Sequence, residues 1–233
     1  QWLGIAPERP FKKDVYHAFK WRGWFDFGCG AMGDMACHGM SAFFRGLKLR
    51  HVLTAETIQS TPTFAETYPS ATTVKLVVRS GSQRRPVTIY WYDGNTKPDD
   101  AICPEAVATW RRITVGSVLI LGARGKMMND AVCMNGEPKF RGIGQHAATK
   151  DLPITLPRVQ NHHWEFAQAL RGGDRPFSDV DHAVPLTEMV LLGCISQRVA
   201  GELAWDVRRG RFTNSEAANA LLTPHVRDGW AIG

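Results

Sequence analysis

The stretch Gly28-Cys29-Gly30-Ala31-Met32-Gly33-Asp34-Met35-Ala36-Cys37-His38 decides how the chain is read. In letters, Gly28, Gly30 and Gly33 spell Gly-x-Gly-x-x-Gly, the turn that cradles a pyrophosphate in a dinucleotide-binding βαβ unit. That turn has its meaning only between a strand and a helix, and Trp21 to Phe27 make a poor strand. No acidic ribose partner follows a second strand at the required distance. The stretch reads instead as a glycine-rich loop running into a helix, where glycine permits positive φ and the close approach of a ligand or a second backbone. On that helix Asp34 and His38 stand four residues apart, one turn from each other on one face, so an acid and an imidazole can act on a single bound substrate. The plainer reading is a first-turn carboxylate stabilised by the helix dipole and a core histidine bonded to a carbonyl.

Downstream, apolar residues recur at Met32, Met35, Ala36, Met40, Phe43, Phe44 and Leu47, a spacing that predicts a helix from Ala31 to Leu49. The period then changes to two. Val74, Leu76 and Val78, and after a turn at Ser80 to Pro86 the residues Val87, Ile89 and Trp91, predict an antiparallel hairpin. Both of its faces carry bulk, so one is expected on helices and the other against a second subunit. Residues 93 to 115 read as a long loop with a short helix near Glu105 to Arg111. Ser117 to Leu121 and Lys126 to Met128 are expected to pair around Gly122 to Gly125, a turn too short for a phosphate loop. Asn129 to Pro157 reads as irregular.

Asn161 is expected to cap a helix from His162 to Leu170 that ends at Gly172-Gly173. Pro185 is expected to open a broadly apolar, central helix running to about Ala204. Trp205 to Val207 is a candidate last strand. Thr213 with Glu216 forms a capping-box pattern ahead of a short helix to Leu222. The order of helix, strands, then helices, without βαβ alternation, predicts an α+β fold, an open, mainly antiparallel β-sheet with helices packed on one face. Residues 1 to 27, rich in Pro, Trp and Phe, are expected as an extended arm lying over another surface.

The chain has 233 residues, 44% hydrophobic and 21% charged, an ordinary globular composition. Its longest apolar run, Met189 to Cys194, is far too short to cross a bilayer. The net charge of +6 comes from scattered pairs such as Lys12-Lys13, Arg84-Arg85, Arg111-Arg112 and Arg208-Arg209. A nucleic-acid groove needs clustering, so an anionic small substrate or cofactor suits this mild positive bias better. Five widely spaced cysteines, Cys29, Cys37, Cys103, Cys133 and Cys194, with no CxxC pair, argue against a disulfide framework or a structural zinc site. A metal held by Asp34 and His38 has no identifiable third ligand. The first residues, Gln1 to Pro7, read like the middle of a protein and carry no signal-peptide pattern, so a fragment is expected, with its compartment open.

Several separated motifs occur in family order. Trp21-Arg22-Gly23-Trp24-Phe25-Asp26-Phe27-Gly28 through His38 closely resembles the start of the C-terminal domain of the glucose-fructose oxidoreductase, inositol dehydrogenase and MocA (Gfo/Idh/MocA) family. Gly116-Ser117 to Gly125-Lys126, Asn161-His162-His163, Val184-Pro185-Leu186-Thr187-Glu188 and the Asn214 to Trp230 tail resemble it too. The resemblance implies that residues 28 to 233 are a substrate-binding and oligomerisation domain, forming a homo-oligomer. It further implies NAD or NADP bound by a separate Rossmann domain that also carries a Glu-Lys-Pro lysine. These 233 residues hold neither, so this chain alone is expected to be inactive and to bind no nicotinamide cofactor tightly.

By the same resemblance, Asp34 and His38 match the family's Asp-x-x-x-His helix. His38 is then the acid or base on a sugar or polyol hydroxyl, and Asp34 positions the substrate or the histidine. Trp21 and Arg22 are candidate substrate contacts, an aromatic platform and an anion-binding guanidinium; packing of the arm is the competing role. His162 and His163 are candidates for the cleft, with structural roles as the alternative for each. The rival function is a non-catalytic binding or oligomerisation module.

Overall fold

The computed structural model describes residues 2–107, 116–129 and 131–230. Among them lie four α-helices and nine strands in two open, mainly antiparallel sheets, an α+β fold. The chain forms two compact units, one from Gln1–Lys97 with Val184–Gly233 and the other from Pro98–Ala183.

In the first unit, α1 (Gly30–Gly46) buries Met32, Ala36, Met40 and Phe44. This is every fourth residue, the stripe that a 3.6-residue period gathers on one side. The chain turns at Lys48, in left-handed conformation, into β1 (Leu49–Ser60). β1 pairs on one edge with β2 (Thr72–Ser80) and on the other with β8 (Leu203–Asp206). β3 (Val87–Tyr92) and β9 (Arg211–Phe212) complete the order β3-β2-β1-β8-β9. The β2–β3 hairpin has the alternation read from sequence, with Val74 opposite Trp91 and Leu76 opposite Ile89.

Against the inner face lies α3 (Val180–Ser196), whose Leu186, Met189, Val190, Leu192 and Cys194 join Met32, Val52, Val74, Leu76 and Leu203 in one core. Each fully buried side chain of this kind contributes about 1.5–3 kcal/mol. The helix starts five residues earlier than Pro185 and ends at Ser196, short of Ala204. Asp179 is the reason for the early start: its Oδ1 accepts from the His182 amide at 3.1 Å, an N-cap bond. Likewise Ser215, and not Thr213, caps α4 (Glu216–Asn219), while Glu216 pairs with Arg211 at 2.6 Å. The capping-box reading is corrected accordingly.

Residues 7–12 have no regular structure; turns precede and follow them, with a 3-10 turn at Lys20–Gly23 and a bridge from Trp24 to Thr67. The Arg9 guanidinium lies over the Tyr16, Trp24 and Phe27 rings at 5.8, 5.9 and 5.2 Å and pairs with Asp26 and Glu66. The Arg227 amide donates to the Ile5 carbonyl at 2.9 Å, tying the tail to this segment.

In the second unit, β4 (Leu119–Gly122), β5 (Gly125–Met128), β6 (Ala131–Met134) and β7 (Arg141–Gly142) form a sheet in chain order. Gly122 lies opposite Gly125, as expected, but β6 and β7 fall in the stretch read as irregular. Met128 packs with Cys103 and Ala106 in a small separate core. α2 (His162–Leu170) is capped by Asn161, whose Oδ1 accepts from the Trp164 amide at 2.8 Å. The helix expected near Glu105 to Arg111 begins as a 3-10 turn at Pro104–Ala106, and its remainder from 108 lies outside the described residues.

Candidate functional site

The glycines before and within the first turn of α1 face protein. A Cβ on Gly28 would stand 2.5 Å from the Arg22 Cα and 2.6 Å from its carbonyl oxygen. Gly30 has φ 67°, and a Cβ there would stand 2.7 Å from the Tyr68 ring. Gly33 lies against Cys29 and Cys194. The space a phosphate cradle would need is filled by the Arg22 backbone and a tyrosine ring, so this stretch does not fit a nucleotide. What the missing side chains allow is the docking of residues 20–23 onto the start of α1.

That docking brings Arg22 to Asp34. Their Nη1 and Oδ2 atoms are 2.9 Å apart, with the side chains 30% and 27% exposed. The guanidinium also lies 3.9 Å from the Phe19 ring centroid, a close cation–π contact. Gly23 is pinned by its carbonyl, which accepts from the Tyr68 amide at 2.9 Å. Asp34 is thus held by a cation while remaining partly open to solvent. His38 follows one turn later on α1 and is exposed, and Trp21 is half-buried beside Arg22.

The structure thus brings Arg22 to Asp34 and to within 5.5 Å of the Trp21 ring centroid, with His38 one turn further along α1. His162 and His163 belong to the second unit, exposed in the first turn of α2, with ring centroids 3.9 Å apart. Cys37, next to His38, packs on the core, and burial raises its thiol above the ordinary value, opposite to what a nucleophile needs. All five cysteines are free thiols. Among the described residues, no group of three or more His, Cys, Asp or Glu side chains is arranged to hold a metal ion. Nor, among them, is any helix long and apolar enough to cross a membrane.

Two polar clusters in the second unit carried no signal in the sequence. His146 is buried, its Nε2 3.0 Å from the Glu137 carboxylate and its Nδ1 accepting from the Ala148 amide at 3.0 Å. That network puts the ring proton on Nε2. Lys126 Nζ donates to both carboxylate oxygens of Glu105 at 2.7 and 2.8 Å, and the Cys103 thiol donates to the same carboxylate at 3.3 Å. Nothing in the spacing of residues 103, 105, 126, 137 and 146 announces these partners.

The first unit is thus an open antiparallel sheet backed by helices, with Asp34 and His38 on its first helix. The model of the oxidoreductase family C-terminal alpha/beta domain, of Gfo/Idh/MocA type, matches residues 84–232, more than half of the chain. The chain belongs to this family. The match begins in the β2–β3 turn, so α1 with Asp34 and His38 lies ahead of it. No curated protein matches the chain.

Proposed function

We propose that this chain is the substrate side of a nicotinamide-dependent oxidoreductase acting on a hydroxyl of a sugar, polyol or glycoside, with Asp34 and His38 as its working pair. One observation carries the reading: Asp34 is fixed by Arg22 at 2.9 Å while His38 stands exposed one turn along the same helix. Taking hydride from a carbinol carbon requires removal of the hydroxyl proton, and an imidazole titrates near neutral pH. In this reading the NAD or NADP supplies the hydride exchange from the family's separate Rossmann domain. His38 accepts the hydroxyl proton at a ring nitrogen and returns it in the reverse direction. Asp34, with Oδ2 on Arg22, keeps Oδ1 to accept from a neighbouring substrate hydroxyl. Trp21 borders the same site; His162 and His163 remain candidate contacts.

Isolated from a nucleotide domain, the chain is expected to turn over nothing. The decisive experiment uses the complete protein with NAD and NADP and a panel of hexoses, polyols and glycosides. His38→Ala is expected to lower turnover by about 10²–10⁴-fold with cofactor affinity unchanged. Retained turnover would count against the role given to His38.

The outer face of the first unit's sheet favours self-association, our reading of the partner. Ile58 and Tyr90 are about half exposed there, at 49% and 48%, and Glu56, Lys75 and Glu202 form an ion-paired cluster among them. A homo-oligomer through this face agrees with that mixture of apolar and paired charged groups. Tyr90→Glu should convert it to a monomer in sedimentation. A non-catalytic oligomerisation module rests on the same face and predicts turnover by no version of the complete protein.

A further inference from the structure

A cavity of about 550 Å³ opens in the first unit between residues 7–9, Phe25, Asp26, residues 65–66 and Arg198. Its volume falls within the range of small-molecule sites, about 300–1,000 Å³. Its lining carries charges of both signs, and most of them are paired. Arg9 pairs with both Asp26 and Glu66, and Glu8 with Arg227 at 3.1 Å. Arg198 is exposed, with its guanidinium 4.0 Å from the Phe25 ring centroid. Three carboxylates, Glu8, Asp26 and Glu66, thus meet the Arg9 and Arg198 guanidiniums on the lining, with Arg227 paired to Glu8 from outside it. An anionic ligand would face Glu8, Asp26 and Glu66, and a cationic one would face the arginines.

A neutral polyhydroxylated ring gains from both. Each hydroxyl donates to a carboxylate and accepts from a guanidinium. The cavity is also close to the proposed site along the chain. Phe25 follows Arg22 by three residues, so their Cα atoms are at most about 11 Å apart, and Arg22 holds Asp34. We infer that this cavity is a subsite for the second sugar unit of a neutral glycoside whose reacting unit sits at Asp34 and His38. The inference rests on the function proposed above and narrows its substrate to something larger than a monosaccharide.

The test needs neither cofactor nor turnover. Saturation-transfer NMR on this chain is run with cellobiose, maltose and glucose, and with glucuronate and glucosamine as charged counterparts. At least one neutral disaccharide is expected to bind in the millimolar range, more tightly than glucose and than either charged sugar. Arg198→Met and Glu66→Gln, both at exposed side chains, are each expected to weaken it by about tenfold or more, with circular dichroism confirming the fold. The subsite is overturned if neither disaccharide binds, if a charged sugar binds better, or if binding survives both substitutions. Such a failure leaves the role of His38 standing. Conversely, a bound disaccharide with undiminished turnover in His38→Ala would remove the proton-transfer role and keep the subsite.

Discussion

In the first unit Asp34 meets Arg22 at 2.9 Å, both side chains stay roughly a quarter to a third exposed, and His38 stands in solvent one turn away. In the second, Glu137 meets His146 at 3.0 Å, and the imidazole side chain is only 6% exposed. The Glu137 carboxylate also accepts from the Met134 amide at 2.9 Å, and the second ring nitrogen of His146 accepts from Ala148. The ingredients are alike and the bookkeeping of hydrogen bonds is opposite. A carboxylate and imidazole whose partners are all protein hold a fold together; a pair with an acceptor and a ring left open can hold a substrate.

The sharpest way to break this comparison is to neutralise each carboxylate in the complete protein. Asp34→Asn frees Arg22 and weakens the acceptor for a substrate hydroxyl, and turnover is expected to fall by about 10²-fold, the usual cost of a misplaced reacting group. Glu137→Gln is expected to leave turnover unchanged. Equal losses from the two substitutions would dissolve the distinction.

Stability should show the reverse order. His146→Ala removes a buried side chain together with its bonds to the Glu137 carboxylate and the Ala148 amide, and is expected to destabilise by about 0.5–3 kcal/mol. His38→Ala, at an exposed helix position, should stay within about 0.5 kcal/mol. Thermal unfolding of the two variants checks both. For Arg22→Met a smaller change is expected, about 0–1 kcal/mol, because the ion pair with Asp34 is partly solvated; its larger effect should appear in turnover, through the carboxylate it releases.

The same contrast explains what could be read from the letters. α1 was legible because Met32, Ala36, Met40 and Phe44 repeat at helical spacing, and the β2–β3 hairpin because Val74, Leu76 and Val78 alternate cleanly. β1, the strand between β2 and β8, was missed. Its pairing with β2 shifts register between Val52 and Thr54 and again between Thr57 and Gln59, and each bulge flips the alternation that a period-two reading needs. β6 was missed because Ala131 to Met134 is four residues with no polar member. α3 was misplaced because Pro185 looked like a first residue, while the start is set by Asp179. Of the site, Asp34 and His38 were legible as an i,i+4 pair. Arg22 was legible only as a cation near them: its docking depends on Gly28 lacking a Cβ, a tertiary contact no spacing reveals.

The last comparison concerns acid. Lys126, donating to Glu105 at 2.7 and 2.8 Å, holds that carboxyl down to about 2, well below the ordinary value of 4.5, with the Cys103 thiol as a further donor. The folded state therefore binds this proton more weakly than the unfolded chain. The pair's contribution is fully present above about pH 4.5 and is lost as pH falls from there through about 2. Both side chains are 23% exposed, so the effect is expected to be the smallest of those considered. Urea unfolding of the chain and of Glu105→Gln should differ at about pH 6 and converge as pH falls below about 2, where the native carboxyl too becomes protonated. A difference that persists unchanged at the acid end would mean that Glu105 acts through packing, and that the closed clusters of the second unit are not electrostatic in origin.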